Sequence, residues 1–469
     1  MSSVLPFDII TEIIDIVGEN NDTNLLKELA LVSRSFLHIC SKHLFASIEL
    51  HDAVPRYQIA SSKRGFLKLL KSRPSVIKYI RKLTYREEYH NPNLLEDDRV
   101  LFPFLPDFLR TIPRLNCLTI TTSQALSWNE MDPSLISALL HLMRTVNHIE
   151  LLYINVPLSI LTSSVNMHRL DFTHMEYDSE SELEEYDFEP FESEEYDSES
   201  KDNDSESEDD NSESEDDSPA SDIVTVQSEA PKIYVFHASQ STKLTTKLLY
   251  AKGQDGRPAF SFTDLKQLSM SVDQPEDKRN FQYLLQNAKL LEKVHLSGVG
   301  WGVLHDILSP IACTLKVLDL TNSLRLEDGI MLCKDLKRMV GHYSMLKALS
   351  FKFRISFHVE EETENPSGTT GAILQNLGEV LVKPGWSGLR QVSFQVSMPY
   401  CGFGKSREDI TELSEELHSV PDKYPSHLSK LESVSFNYSV DVDAECQVPS
   451  MTYCDRCETK RLPELDSEV

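Results

Sequence analysis

One short pattern, apolar-x-x-apolar-x-apolar, returns along most of the chain and constrains its fold more than any other feature. It occurs as Ile80-Leu83-Tyr85, Leu115-Leu118-Ile120, Val146-Ile149-Leu151 and Met167-Leu170-Phe172. It returns as Leu265-Leu268-Met270, Leu291-Val294-Leu296, Leu315-Leu318-Leu320, Leu346-Leu349-Phe351, Leu389-Val392-Phe394 and Leu431-Val434-Phe436. Outside the gap from Phe172 to Leu265, the starts fall 21 to 43 residues apart. The last two apolar positions of each copy alternate, as in a strand with one buried face, and the first packs just ahead of it. Between copies lie helix-like segments such as Gly65 to Leu70, Ser134 to Arg144 and Arg407 to Leu417. One strand and one helix cannot bury an apolar face alone, so such units stack on their neighbours into a continuous core.

This pattern at this period resembles leucine-rich repeats. The resemblance implies an α+β or α/β solenoid with irregular repeats. The Asn ladder position of such repeats is mostly missing, and Asn322 after Leu320 is a rare partial match. A different α/β arrangement, in which the pattern marks only strands, stays open.

Charge locates the gap in the series. Residues Glu176 to Asp217 hold 23 Asp and Glu against one Lys, and the chain totals -28, so the rest carries only -6. A segment this acidic cannot bury enough apolar surface to offset ordering entropy, so about 176–231 is expected to be a disordered insert. The folded remainder lacks the broad positive footprint of a nucleic-acid binder. Ser179, Ser181, Ser205, Ser207, Ser212 and Ser214 each have an acidic residue three positions on, a context that suits acid-reading kinases. Ten Lys or Arg lie between Arg56 and Arg86, interleaved with apolar residues, which reads as an amphipathic helix with a solvated basic face. Docking of an acidic segment there, including the chain's own insert, is the functional alternative.

The first 50 residues read differently. Ile9, Ile13 and Ile16 form one helical stripe, and Ile10, Ile14 and Val17 form a second beside it. One stripe serves the helix's own domain, and the other calls for a second surface. Pro6 suits a first helical turn, Gly18 and the polar run after it stop the helix, and Thr23 and Ser33 are placed to cap two more. The order Leu5-Pro6, Ile9, Ile13, then Leu26, Leu29, Ala30, Val32, Ser33, Arg34 and Phe36 resembles an F-box, with Phe36 where many members have Trp. The resemblance implies a three-helix module over 1–50 that docks the Skp-family linker of a cullin–RING ubiquitin ligase. It implies Leu5, Pro6, Ile9, Ile13, Leu26, Leu29, Val32 and Phe36 as linker-binding residues.

The expected organisation is therefore an F-box (1–50), a first solenoid part (51–175), the insert (176–231), a second solenoid part (232–440) and a tail (441–469). The function that follows is substrate recognition for an SCF-type ubiquitin ligase, with a protein client on the solenoid. A leucine-rich-repeat scaffold acting outside any ligase is the alternative. Client contacts are expected around Trp301, Arg325, Tyr400 and Phe403, since exposed aromatic and Arg side chains make good anchors.

No catalytic constellation is legible, and no cofactor is expected. Gly402 to Ser406 reads GFGKS between a strand and a helix, but Pro399 stands where a phosphate-binding loop needs its first Gly. Cys454 and Cys457 have metal-ligand spacing without a second pair at any usual spacing, so no metal is assigned. The eight cysteines are scattered, and neither a signal peptide nor a long apolar run is apparent. A cytoplasmic or nuclear location, away from membrane, is the expectation.

Overall fold

The computed structural model describes residues 6–20, 22–50, 63–87, 104–128, 131–173, 230–253, 256–300, 302–323, 325–355, 365–399, 407–424 and 434–443. Residues 1–177 and 230–469 form one unit, and 178–229 form a second. Residues 176–229 of the acidic insert, its serines, the GFGKS loop and Cys454-x-x-Cys457 lie outside the described residues.

The recurring pattern builds one parallel sheet of twelve strands, hydrogen-bonded in the order in which they occur in the sequence. The strands are β1 (Ser47–Leu50), β2 (Lys82–Glu87), β3 (Cys117–Ser127), β4 (His148–Asn155), β5 (Arg169–Thr173) and β6 (Val235–Ser239). They continue as β7 (Gln267–Ser271), β8 (Lys293–Ser297), β9 (Val317–Ser323), β10 (Ala348–Arg354), β11 (Gln391–Pro399) and β12 (Ser435–Asp443). Parallel neighbours need crossovers of a dozen or more residues, and helices fill most of them. Examples are α6 (Pro133–Met143) and α12 (Pro366–Leu381). The Asp132 side chain accepts from the N–H groups of Ser134 at 2.9 Å and Leu135 at 3.0 Å, and so starts α6. Leu135, Ala138, Leu139, Leu142 and Met143 then turn one buried stripe towards the sheet. The inward strand residues and the buried helix faces make a single core. Each fully buried aliphatic side chain there contributes about 1.5–3 kcal/mol.

Register sharpens the repeat series. Leu83, Leu118, Ile149 and Leu170 lie opposite one another on neighbouring strands, as do Tyr85, Ile120, Leu151 and Phe172. Two further copies of the pattern complete the sheet. Phe45-Ile48-Leu50 supplies β1, with Ile48 opposite Leu83. Ile233-Phe236-Ala238 supplies β6, with Phe236 opposite Leu170, so the gap before Leu265 holds a strand. The last copy shifts by two residues: Phe436 lies opposite Val392, and Tyr438 opposite Phe394. Tyr438 stacks on Phe394 at 6.0 Å and donates to the Leu417 carbonyl at 2.8 Å, which fixes that pairing.

Several boundaries move. Pro231, expected in the insert, is buried and accepts from Ser261 N–H at 2.9 Å. β12 runs to Asp443, three residues into the expected tail. The basic stretch is no single helix: α4 (Lys63–Ser72) ends before Pro74, a 3-10 turn follows over Pro74–Tyr79, and β2 begins at Lys82. The polar stretch 358–369 contains the start of α12 at Pro366. Asn365, in the left-handed region at φ 57°, caps that helix by accepting from Gly368 N–H at 3.0 Å.

Candidate docking interface

Three helices precede the sheet: α1 (Phe7–Glu19), α2 (Thr23–Val32) and α3 (Arg34–Leu44). Pro6 precedes α1 and accepts from Ile9 N–H at 3.1 Å. Asp22, not Thr23, caps α2 by accepting from Leu25 N–H at 3.0 Å. Ser33 caps α3 as expected, accepting from Phe36 N–H at 3.2 Å. Ile14, Leu26, Ile39 and Cys40 form a small core of their own, with Ile10, Val17, Leu29 and Phe36 packed against it. The two stripes of α1 therefore part company. Ile10, Ile14 and Val17 face the helices, while Ile9, Ile13 and Ile16 stay 44%, 47% and 52% exposed. Leu31 and Val32 add a second exposed apolar pair at the end of α2.

The structure thus sorts the expected linker residues. Ile9, Ile13 and Val32 are exposed, and so is Pro6. Leu26 is 2% exposed and belongs to the three-helix core, which leaves it nothing to offer a partner. Leu29 and Phe36 are half-buried against that core. Leu5 lies outside the described residues. Ile16 and Leu31 were absent from the expected set, although the helical wheel already placed Ile16 with Ile9 and Ile13.

This unit is fixed to the sheet. Asp15 on α1 meets Lys42 at 2.6 Å and His43 at 2.7 Å at the end of α3. Hydrogen bonds from Lys42, then His43, hold the Asp15 carboxyl below its usual pKa. Gly18 lets the His43 ring approach, since a Cβ there would sit 2.2 Å from the imidazole. The Ala46 carbonyl accepts from Arg81 and Lys82 N–H groups, each at 2.8 Å, and Tyr79 Oη meets His38 Nδ1 at 2.8 Å. The cleft at this junction is lined by Asp15, Glu19, Lys42, His43, Tyr79 and Arg81.

The solvent face of the sheet is a second surface. Asp171 on β5 gathers His148 at 2.9 Å, Arg169 at 2.8 Å and His237 at 3.5 Å. Burial pushes Asp171 up, but hydrogen bonds from His148 and Arg169 reverse this and hold it below the usual carboxylate range. Burial pulls His148 down, yet the hydrogen bonds its ring makes to Asp171 and Cys117 prevail and raise it to about 9. His237 and His295 are driven lower, first by burial. These side chains come from strands tens of residues apart, so no local motif announces them.

No protein-family model matches the chain, and no curated protein matches it.

Of the expected client residues, Trp301, Tyr400 and Phe403 lie outside the described residues. Arg325 is exposed and precedes α11 (Leu326–Met339). Asp335, fully buried on α11, accepts from Gly302 N–H at 2.6 Å and Leu304 N–H at 3.2 Å, and so fixes the segment that follows Trp301. Asn322, singled out by its position after β9's apolar pair, donates to the Val299 carbonyl at 3.2 Å. Among the described residues, no group of three or more His, Cys, Asp or Glu could hold a metal ion, and no helix is long and apolar enough to cross a membrane.

Proposed function

We propose that this chain is an F-box substrate receptor. Its three N-terminal helices dock the Skp-family linker of a cullin–RING ubiquitin ligase. Its sheet and helices are coils of an irregular leucine-rich-repeat-like solenoid that holds a protein client. The chain itself carries out no chemistry, and transfer of ubiquitin belongs to the RING subunit and its conjugating enzyme. Such a receptor works in the cytosol or nucleus.

One observation carries the linker reading: a capped three-helix unit buries one aliphatic stripe of α1 and leaves the other, Ile9, Ile13 and Ile16, open to solvent. Exposed aliphatics in helical register favour a partner that removes them from water. The solenoid reading is supported by twelve strands paired in sequence order. Affinity purification of the tagged full chain, read by mass spectrometry, tests the proposal. Co-purifying Skp-family linker and cullin is the expected result. Recovery of clients without either would favour a scaffold outside any ligase.

A further inference from the structure

The basic stretch from Arg56 to Arg86 was the only basic cluster apparent in the linear sequence. The folded chain builds a larger one from residues far apart in sequence. Lys266, Glu292, Lys316, Lys347 and Arg390 each stand immediately before an aligned strand pair of the sheet. Their backbones are bonded in turn: Glu292 N–H to Lys266 at 2.9 Å, Lys316 to Glu292 at 2.7 Å, Lys347 to Lys316 at 2.7 Å and Arg390 to Lys347 at 2.8 Å. Lys293, Lys352 and Arg354 occupy outward positions of β8 and β10, whose alternate residues are buried. Burial first, then the Lys293, Lys352 and Arg354 charges against that of Asp319, lower the His295 pKa, and the Lys316 hydrogen bond, with the Lys266 and Lys347 charges, lowers that of Glu292.

Among the described residues, four carboxylates lie on or beside this face: Asp273 accepts from Ser271 at 2.9 Å and Asp441 of β12 from Gln395 at 3.3 Å, and only the other two are ion-paired to its cations. Glu292 meets Lys316 at 2.7 Å, and Asp319 meets Lys293 at 3.4 Å. Among the described residues, no carboxylate lies at ion-pair distance from Lys266, Lys347, Lys352, Arg354 or Arg390. Small uncharged residues, Ser269, Ser297, Ser350 and Ser393, share the face with His295 and Asp319. A surplus of cations on one face stands out in a chain whose net charge outside residues 176–217 is -6.

We propose that the solvent face of β7–β11 docks a partner protein through an extended segment rich in Asp and Glu. Neighbouring strands lie about 4.8 Å apart, so the row of strand starts spans roughly 19 Å, the length of about six extended residues. A line of separate ammonium groups matches carboxylates spread along a chain. A single phosphate would be better served by guanidinium forks converging on one point, and lysines dominate here. A duplex nucleic acid, with a charge every ~1.7 Å over a far longer surface, would meet the acidic remainder of the chain. This inference names the client chemistry of the receptor proposed above, but its test needs no linker, so the two fall separately.

The test is fluorescence anisotropy on the full chain, with a labelled Glu/Asp peptide of roughly ten residues, long enough to outspan the row. Saturable binding is expected, fading as salt shortens the ~8 Å Debye length. Lys347→Glu with Arg390→Glu should weaken it at least about tenfold, and Lys347→Gln with Arg390→Gln by less. Lys27→Glu with Lys383→Glu, both exposed elsewhere, should leave it unchanged. Circular dichroism confirms that each variant is folded, and the neutral pair serves if charge reversal disrupts folding. Four results would overturn the proposal: no saturable binding, equal loss in the Lys27/Lys383 variant, tighter binding of an oligonucleotide of matched charge, or binding that appears only after residues 176–217 are deleted. The last would assign the face to the chain's own acidic segment.

Discussion

The exposed stripe of α1 makes a quantitative claim. Ile9, Ile13 and Ile16 keep about half of their surface in water. Full burial of such a side chain contributes about 1.5–3 kcal/mol, so covering the remaining half of all three contributes roughly 2–4.5 kcal/mol. That is about 30- to 2000-fold in affinity for whatever covers them. Ile9→Glu with Ile13→Glu removes two thirds of this contribution and sets two carboxylates into a desolvated surface, at several kcal/mol more. Micromolar binding to a Skp-family linker would fall beyond detection. The same pair should change the stability of the three-helix unit little, because its core is built from Ile14, Leu26, Ile39 and Cys40. Isothermal titration calorimetry with a purified linker measures the first quantity, and a thermal melt of the variant measures the second. Linker binding that survives the double substitution would refute the docking argument. A melt that collapses would refute the division of labour between the two stripes.

Leu26→Ala should do the reverse of the stripe variant: at 2% exposure its truncation leaves a cavity and costs about 2–5 kcal/mol, readable as a lower denaturant midpoint. Asp335→Ala should cost about 1–3 kcal/mol, since Gly302 and Leu304 N–H groups lose their acceptor, and hydrogen exchange should rise over 302–304. The His148 pKa is raised from 6.5 to about 9 in the folded chain, so its contribution is complete below pH 6.5 and is lost as pH rises through 9. Asp171, Arg169, Cys117 and His237 surround that ring, and His237, held below 6.5 by burial, favours the fold in the opposite direction, above 6.5. The stability gap between wild type and His148→Gln isolates the His148 share: on the order of 2 kcal/mol near neutral pH and below, closing towards alkaline pH. A gap that widens with alkalinity would contradict the Asp171 pairing.

Much of the architecture was legible because its signals are local. Alternation with period two marks a strand whatever it pairs with, and the spacing of Leu135, Leu139 and Leu142 marks a helix before any packing is known. Caps are local too, so the sequence marks Ser33 correctly and misplaces the α2 cap by a single residue, at Thr23 instead of Asp22. The two-stripe wheel of α1 was also complete in the sequence. It could not say which stripe faces inward, because that depends on where α2 and α3 lie. The fold supplied that choice, burying Ile14 against Leu26 and leaving Ile13 outside. Register was hidden for a related reason. Val434, Phe436, Tyr438 and Val440 alternate throughout, so a slip of two residues keeps every side chain on its face, and only pairing with β11 selects Phe436 and Tyr438. The Asp171 cluster and the basic face belong to the same class. Lys266 and Arg390 are far apart along the chain and carry no common motif. Parallel pairing brings their strands into one sheet, and the charge that results is a property of that sheet.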